Sequence, residues 1–149
     1  MATPLREVLH IDDDACFTAL VSAQMLSRGY RVRGCNDARQ AMRQIAQHES
    51  RVVLLDLDMP DVNGLELLAK IQLYDTGVHV LVLTGLASQQ TVLEALHAGA
   101  EAVLFKPLES FEPLATALKS AFQATDRWWE TLRRLSSSRR DARTCLTVD

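Results

Sequence analysis

The sequence is poor in cysteine and has no long apolar run, and each shortage argues against a class of protein. Its three cysteines, Cys16, Cys35 and Cys145, are far apart and form no CxxC pattern, so we expect neither a disulfide framework nor a zinc site. No apolar stretch approaches the roughly 20 residues that span a bilayer. The N-terminal MATPLREVLH also lacks the organisation of a signal peptide. These features predict a protein of the reduced cytoplasm that makes no membrane contact.

A strong charge of either sign is also absent. The net charge is −3 over 149 residues, which favours neither a nucleic acid nor a membrane surface as the partner. The charge is uneven, because residues 1–125 carry 10 Lys and Arg against 15 Asp and Glu, whereas residues 126–149 carry 6 against 4. With an apolar share of 48%, the chain can build the core of one domain with a short appendage.

The sequence does contain a regular alternation of short apolar runs and longer segments with helical periodicity. The runs at 7–11, 52–57, 78–84 and 102–106 show little alternation of apolar and polar residues, which is typical of strands covered on both faces. The run YRVRGC at 30–35 alternates apolar and basic residues, as an edge strand does. These runs predict five strands.

Helix signals separate and follow these strands. The expected helices cover 15–28, 38–48, 64–74, a segment from Ser88 to about residue 98, and a segment that Ser110 opens. Asp14, Asp37 and Ser88 are suitable N-caps. A strand–helix unit repeated five times predicts an α/β fold, a doubly wound five-stranded parallel sheet of flavodoxin-like type with helices on both faces. Ligands of such sheets bind at the carboxyl ends of the strands, near the point where the strand order reverses.

Acidic residues follow two of the predicted strands. In RVVLLDLDMPDVNG, Asp56 lies in an apolar run and Asp58 follows it, although burying a charge is costly unless something compensates it. The acid pair Asp12 and Asp13 follows the first strand. Carboxylates that converge on one crevice repel one another unless a cation holds them, and Mg²⁺ accepts carboxylate, water and phosphate oxygens. We therefore predict that Asp56 acts as a nucleophile or ligand beside a metal.

Two further strand ends carry groups that suit a phosphoryl group. Thr84 ends the fourth strand and Lys106 ends the fifth, and their hydroxyl and ammonium groups can bind phosphoryl oxygens. Together these residues resemble the receiver domain of two-component response regulators, over about residues 5–125. The motifs that carry the resemblance are Asp12 and Asp13 after EVLHI, Asp56 in LLDLDMPDVNG, Thr84 in VLTG, and Lys106 in FKP. We assign residues 1–125 to the receiver and 126–149 to a helical extension with a basic tail.

The resemblance implies a specific chemistry. Asp56 would accept a phosphoryl group from the phosphohistidine of a sensor histidine kinase or a histidine phosphotransfer protein. Lys106 would pair with the phosphoryl oxygens, and Thr84 would form a hydrogen bond to one of them. The implied Mg²⁺ ligands are Asp12, Asp13, Asp56 and the main-chain carbonyl of Asp58. Such a domain catalyses only its own phosphorylation and dephosphorylation, which needs positioning and charge neutralisation.

Several residues near these motifs have less specific roles. Many receivers carry an aromatic residue three positions before the lysine, and here that position is Val103, so the way in which phosphorylation is reported stays open. In the resemblance, Pro107 would follow a cis peptide bond. The side chain of Asp58 is expected in solvent. The four histidines, His10, His48, His79 and His97, have no ligand spacing, and we expect structural or surface roles for them.

The C-terminal segment keeps a helical rhythm over 111–135 that includes Trp128 and Trp129. An apolar stripe that extends beyond a compact domain is typical of an interaction surface. We therefore expect one long helix that pairs two chains, with the basic segment 133–143 in solvent. The alternative is a linker to an output domain outside this chain. The 24 residues after 125 are too few for a DNA-binding domain, so DNA binding is not expected from this chain alone.

Two other functions remain open at this point. A haloacid-dehalogenase-type phosphatase also uses an aspartyl phosphate, Mg²⁺, a threonine and a lysine, and LLDLD resembles its DxD motif. Against that function, an acid pair precedes the motif and Met-Pro follows it. A pseudo-receiver that binds partners without phosphorylation is the third possibility, and the complete acid set argues against it.

Overall fold

The computed structural model describes the backbone of residues 5–85 and 88–146, and side chains as far as residue 138. Five strands alternate with helices. The strands are β1 Arg6–Ile11, β2 Tyr30–Cys35, β3 Val52–Leu55, β4 His79–Thr84 and β5 Ala102–Phe105. The helices are α1 Ala15–Leu26, α2 Ala41–His48, α3 Gly64–Tyr74, α4 Gln89–His97 and α5 Glu112–Leu146, and a short 3-10 turn, Ala38–Gln40, precedes α2.

All five strands are parallel and form one sheet in the order β2-β1-β3-β4-β5. The predicted fold is therefore confirmed, and β2 lies at an edge, as its alternating sequence indicated. Strand β2 lies on one side of β1, and β3, β4 and β5 follow on the other side. The direction in which strands are added to the sheet therefore reverses between β1 and β3. The crevice for a ligand is expected at the carboxyl ends of these two strands.

The apolar strands lack alternation because each face of the sheet has its own core. Leu9 and Ile11 of β1 pack with residues of α2, α3 and α4 on one face, while Val8 packs with residues of α1 and α5 on the other. In the same way, Leu55 and Leu54 of β3 belong to opposite faces. Complete burial of each such side chain stabilises the fold by about 1.5–3 kcal/mol relative to exposure.

The helix caps predicted from the sequence are present, with two differences at helix ends. Asp14 and Ser88 accept main-chain N–H groups of the first turns of α1 and α4. Asp37 accepts the N–H of Arg39, but the turn it caps is 3-10, so α2 begins only at Ala41. Helix α1 ends two residues before the expected position, because the chain turns through Ser27 and Arg28 to Gly29, which has a φ of 91°.

Helix α5 is longer than predicted. It runs without interruption over 35 residues, a length of about 50 Å, because neither Gly nor Pro occurs after Pro113 in its first turn. Its early residues Leu114, Leu118 and Phe122 are buried against the sheet, whereas Trp128 and Trp129 are 52% and 42% exposed. Over the described ranges, none of the helices, α5 included, combines the length and the apolar character required to cross a membrane.

Candidate functional site at the carboxyl edge of the sheet

Main-chain hydrogen bonds continue the sheet by one residue beyond three of its strands, and these extra residues carry the predicted site. The N–H of Asp12 donates to Cys35 O at 3.1 Å, and that of Asp56 donates to Ile11 O at 3.0 Å. The N–H of Lys106 donates to Thr84 O at 2.9 Å. Because their backbones are held by neighbouring strands, the side chains of Asp12, Asp56 and Lys106 project from a rigid edge.

Three carboxylates meet at this edge. One oxygen each of Asp12, Asp13 and Asp56 lies within 4.8 Å of the others. Asp12 and Asp56 are buried and Asp13 is exposed. Main-chain N–H groups fix the two buried acids: Asp12 Oδ1 accepts from Asp14 at 2.9 Å, and Asp56 Oδ1 accepts from Asp58 at 3.0 Å. The acids that the sequence predicted to converge are therefore together, and the Asp58 side chain is exposed, as expected.

Lys106 joins the two buried acids. Its Nζ donates to Asp12 Oδ2 at 2.6 Å and to Asp56 Oδ2 at 3.2 Å. The same Nζ lies 4.4 Å from the centre of the Phe17 ring, a distance at which an aromatic face attracts a cation. Phe17 was not singled out from the sequence. The peptide bond between Lys106 and Pro107 is cis, as expected.

The ionisation of the site follows from these contacts. Burial of the Asp12 carboxyl opposes its ionisation, but His10, Lys106 and the N–H of Asp14 outweigh burial and lower its pKa to about 2. Burial raises the pKa of Asp56, and the hydrogen bond from Asp58 and the charge of Lys106 offset only part of that effect. Burial also acts to lower the pKa of Lys106, but Asp12 and Asp56 overcome this and raise it.

This charge balance fits a divalent cation. The ammonium group of Lys106 contacts the two buried acids, and Asp13 lies near them. One positive charge therefore compensates the negative charge of the three carboxylates only in part. Hard cations such as Mg²⁺ take carboxylate oxygens as ligands. The raised pKa of Asp56 means that its ionised form lacks stabilisation, and a cation between the acids would supply it.

Thr84 lies at the carboxyl end of β4, and it is completely buried. It pairs in register with Phe105, the residue before Lys106. Val103 lies two residues earlier and packs as a partly buried side chain against the core formed with α2, α3 and α4. The position that is aromatic in many receivers is therefore a small apolar side chain that forms part of the core.

Besides Phe17, two residues of the site were missed in the sequence. His10, for which we expected a structural or surface role, is completely buried beside Asp12. The signal available was its position two residues before Asp12 in an apolar strand, since residues i and i+2 share a face. Gly64 was expected only as the first residue of the third helix, but a Cβ there would lie 2.4 Å from Leu57 Cα. It therefore allows α3 to approach the loop that carries Asp56 and Asp58.

Comparison with known proteins agrees with this geometry. Residues 8–119 match the family model of the response regulator receiver domain. The transcriptional regulatory protein ZraR of Escherichia coli K12 is 33% identical over 119 residues, which are 80% of this chain and 27% of ZraR. PhoP of the same strain is 32% identical over 108 residues, 72% of this chain and 48% of PhoP. The chain thus spans between about a quarter and a half of the length of these relatives.

Solved structures give the same result. A CheY-like receiver domain protein from Methanospirillum hungatei JF-1 is 27% identical with a TM-score of 0.76, over 83% of this chain and 98% of that one. The beryllofluoride-activated NtrC4 receiver domain dimer is 31% identical with a TM-score of 0.75, over 80% and 98% of the two chains. On its fold, its strand-end residues and these matches, the chain belongs to the response regulator receiver domain family.

Proposed function

We propose that Asp56 accepts a phosphoryl group from the phosphohistidine of a sensor histidine kinase or a histidine phosphotransfer protein. The observation that carries this proposal is the contact of Lys106 Nζ with both Asp12 and Asp56, at 2.6 and 3.2 Å, beside a cluster of three acids. Burial raises the pKa of Asp56, and the charge of Lys106 acts in the opposite direction. A buried acid with a perturbed pKa beside a charged partner is a candidate functional group, here the acceptor of a phosphoryl group.

The proposed transfer requires positioning and charge neutralisation from the site. A carboxylate oxygen of Asp56 attacks the phosphorus, a P–O bond forms and the P–N bond breaks, and its electron pair stays on the imidazole nitrogen of the donor. Lys106 then binds a phosphoryl oxygen and Thr84 donates a hydrogen bond to another. Mg²⁺, when bound, neutralises the charge of the transferring group. Its proposed ligands are Asp12, Asp13, Asp56 and the main-chain carbonyl of Asp58.

The proposed domain acts on no other substrate and catalyses only its own phosphorylation and dephosphorylation. Incubation with Mg²⁺ and acetyl phosphate, followed by intact mass spectrometry, separates it from the two alternatives. One labile phosphoryl group per chain is expected for a receiver. Continuous turnover of the phosphate donor with no phosphoryl group retained on the chain would instead indicate a phosphatase of the haloacid-dehalogenase type. An unchanged mass without turnover would indicate a pseudo-receiver. Either of these results would refute the proposal.

We also propose that residues 1–125 form the receiver and that the extension, residues 126–149, pairs two chains. Two exposed tryptophans continue the buried stripe of α5, and exposed Trp side chains are favoured at the centre of interfaces. The NtrC4 receiver domain is described as a dimer. The alternative role is a linker, because the relatives extend well beyond the matched region. On this proposal the chain itself does not bind DNA.

The dimer proposal can be tested by the mass of the particle in solution. We expect a dimer for the full chain and a monomer after truncation at Thr125, with the truncated chain still phosphorylated. In the full chain, Leu135→Glu on the extension is expected to give a monomer, because Leu135 is 57% exposed on the same helix. Leu73→Glu, at an 88% exposed position of α3, is the matched control and should leave a dimer. Equal masses for the full and truncated chains would leave the extension as a linker.

The cytoplasm remains the proposed location. Cys16 and Cys35 are both free thiols, and this supports a reducing compartment.

A further inference from the structure

His10 is a buried polar side chain whose hydrogen-bonding groups are unused. It lies on β1, is completely buried, and neither Nδ1 nor Nε2 has a hydrogen-bond partner among the described residues. Buried polar atoms nearly always have such a partner, because leaving one unsatisfied is costly. A leucine or valine at this position would avoid that cost, so the presence of an imidazole needs a reason.

The surroundings of His10 give that reason. Its Nε2 lies 3.7 Å from Asp12 Oδ2, just beyond hydrogen-bond distance. Its ring meets the Phe17 ring edge to face, with centroids 5.7 Å apart, and the Phe17 ring in turn contacts Lys106 Nζ. Asp12 Oδ2 is the same oxygen that accepts the 2.6 Å hydrogen bond from Lys106. His10 and Lys106 therefore approach one carboxylate oxygen.

We propose that His10 is a positioning residue that replaces Lys106 as the hydrogen-bond donor to Asp12 when Lys106 moves to the phosphoryl group on Asp56. This inference rests on the proposed phosphorylation of Asp56. When Lys106 leaves, Asp12 Oδ2 becomes a buried anionic oxygen without its donor. A shift of less than about 1 Å brings Nε2–H of the imidazole into hydrogen-bond distance.

The exchange of donors has a consequence for the balance between the two states. In the unphosphorylated chain, Lys106 holds Asp12 Oδ2 at 2.6 Å, and the described residues give neither ring nitrogen of His10 a hydrogen bond, because Nε2 stays 3.7 Å from that oxygen. In the phosphorylated chain, Lys106 binds the phosphoryl oxygens, while His10 and Asp12 satisfy each other. Because the hydrogen bond of His10 exists only in the second state, it stabilises that state relative to the first. It also holds the Asp12 carboxylate in orientation, as a hydrogen bond to a metal-binding carboxylate does.

Nuclear magnetic resonance of the histidine ring nitrogens tests the exchange directly. Long-range ¹H–¹⁵N spectra of the full chain are compared without additions and with Mg²⁺ and beryllofluoride, a phosphoryl analogue. We expect a proton on His10 Nε2 in both spectra. The signal of a hydrogen-bonded Nε2 is expected only with the analogue. The exposed His97 is the internal control, and its signal should be the same in both spectra. An Nε2 without a proton, or a His10 signal that is unchanged with bound analogue, would overturn the inference.

A second sample removes any dependence on phosphorylation. Lys106→Met takes the ammonium from Asp12 without phosphoryl chemistry, so the hydrogen-bonded His10 signal is expected in this variant without beryllofluoride. If the wild-type chain fails to bind the analogue, the proposed function is wrong, and the Lys106→Met spectrum still decides the role of His10. An unchanged His10 signal in that variant would refute the donor exchange.

Substitutions of His10 supply an independent readout. His10→Gln keeps an N–H donor close to the position of Nε2, whereas His10→Leu removes it. At a fixed Mg²⁺ concentration, His10→Leu is expected to raise the beryllofluoride concentration for half-saturation about tenfold, the effect of one hydrogen bond to a charged group. His10→Gln should restore most of the affinity. Equal affinities for His10→Leu and the wild type, or equal losses for both variants, would contradict the inference.

Thermal melts separate this role from general damage to the core. Without the analogue, His10→Leu should change the melting temperature little, because removal of an unsatisfied polar group from the core offsets the loss of the effect of His10 on the Asp12 carboxyl. Val8→Ala on the same face of β1 is the matched control. It removes buried methyl groups and should lower the melting temperature without changing the affinity for beryllofluoride. A loss of analogue affinity in Val8→Ala equal to that in His10→Leu would indicate a packing effect and refute a donor role.

Discussion

The contacts of the buried Asp12 carboxyl with His10, Lys106 and the N–H of Asp14 predict a defined dependence of stability on pH. The pKa of Asp12 is about 2 in the folded chain, against an ordinary value of 3.8. Each pKa unit corresponds to about 1.4 kcal/mol, so ionised Asp12 contributes about 2 kcal/mol to the free energy of unfolding. Because the folded pKa is the lower one, this contribution is complete above pH 3.8 and is lost as the pH falls through about 2.

Urea unfolding followed by circular dichroism measures this contribution, with a chelator present so that no divalent cation is bound. We expect the difference in unfolding free energy between the wild type and Asp12→Asn to shrink by about 2 kcal/mol between about pH 5 and pH 2. Asp58→Asn makes the same change at an exposed position and should follow the wild-type curve. If the Asp12→Asn curve also runs parallel to the wild type, His10, Lys106 and the N–H of Asp14 do not hold Asp12 in its ionised form.

Three further changes test other parts of the site. Asp13→Ala should reduce the rise in melting temperature that Mg²⁺ causes, because it removes a ligand, and an undiminished rise would exclude ligation by Asp13. It should not lower the melting temperature of the metal-free chain, because it relieves repulsion among the acids. Gly64→Ala should destabilise the fold by about 1–3 kcal/mol in urea unfolding, because its Cβ would meet the main chain of Leu57. Gly85→Ala, whose Cβ would meet nothing within 4 Å, is the control, and similar losses for both would contradict the close approach. Asp56→Asn should be more stable than the wild type at pH 7, because burial raises the pKa of Asp56. It should lose this advantage as the pH falls through that raised pKa, so that none remains below about 3.8; a variant less stable at pH 7 would contradict that assignment.

Most of the fold could be predicted because this sheet is buried on both faces. A central strand such as β3 must be apolar at consecutive positions, and VVLL is therefore unambiguous. The site followed from one topological rule, since the carboxyl ends of parallel strands meet at one edge. Asp12, Asp56 and Lys106 are separated by up to 94 positions in sequence, and they are brought together because each comes directly after a strand.

The parts that could not be predicted depend on distances that no local pattern encodes. The pattern showed that Lys106 would lie near the acids, but not that its closest oxygen belongs to Asp12 and not to Asp56. His10 was placed with the other histidines because its type and spacing are unremarkable, and only its burial without a hydrogen-bond partner distinguishes it. The full length of α5 was underestimated because the serines and arginines after residue 135 end the apolar rhythm without ending the helix.

The most direct test of the account is the location of the phosphoryl group. After incubation with Mg²⁺ and acetyl phosphate, intact mass and peptide mapping are compared for the wild type, Asp56→Asn and the control Asp58→Asn. We expect one phosphoryl group on Asp56 of the wild type and uptake by Asp58→Asn. Asp56→Asn should take up none, because an amide is a poor nucleophile. Uptake by Asp56→Asn at the wild-type yield, on any residue, would contradict the assignment of Asp56 as the acceptor.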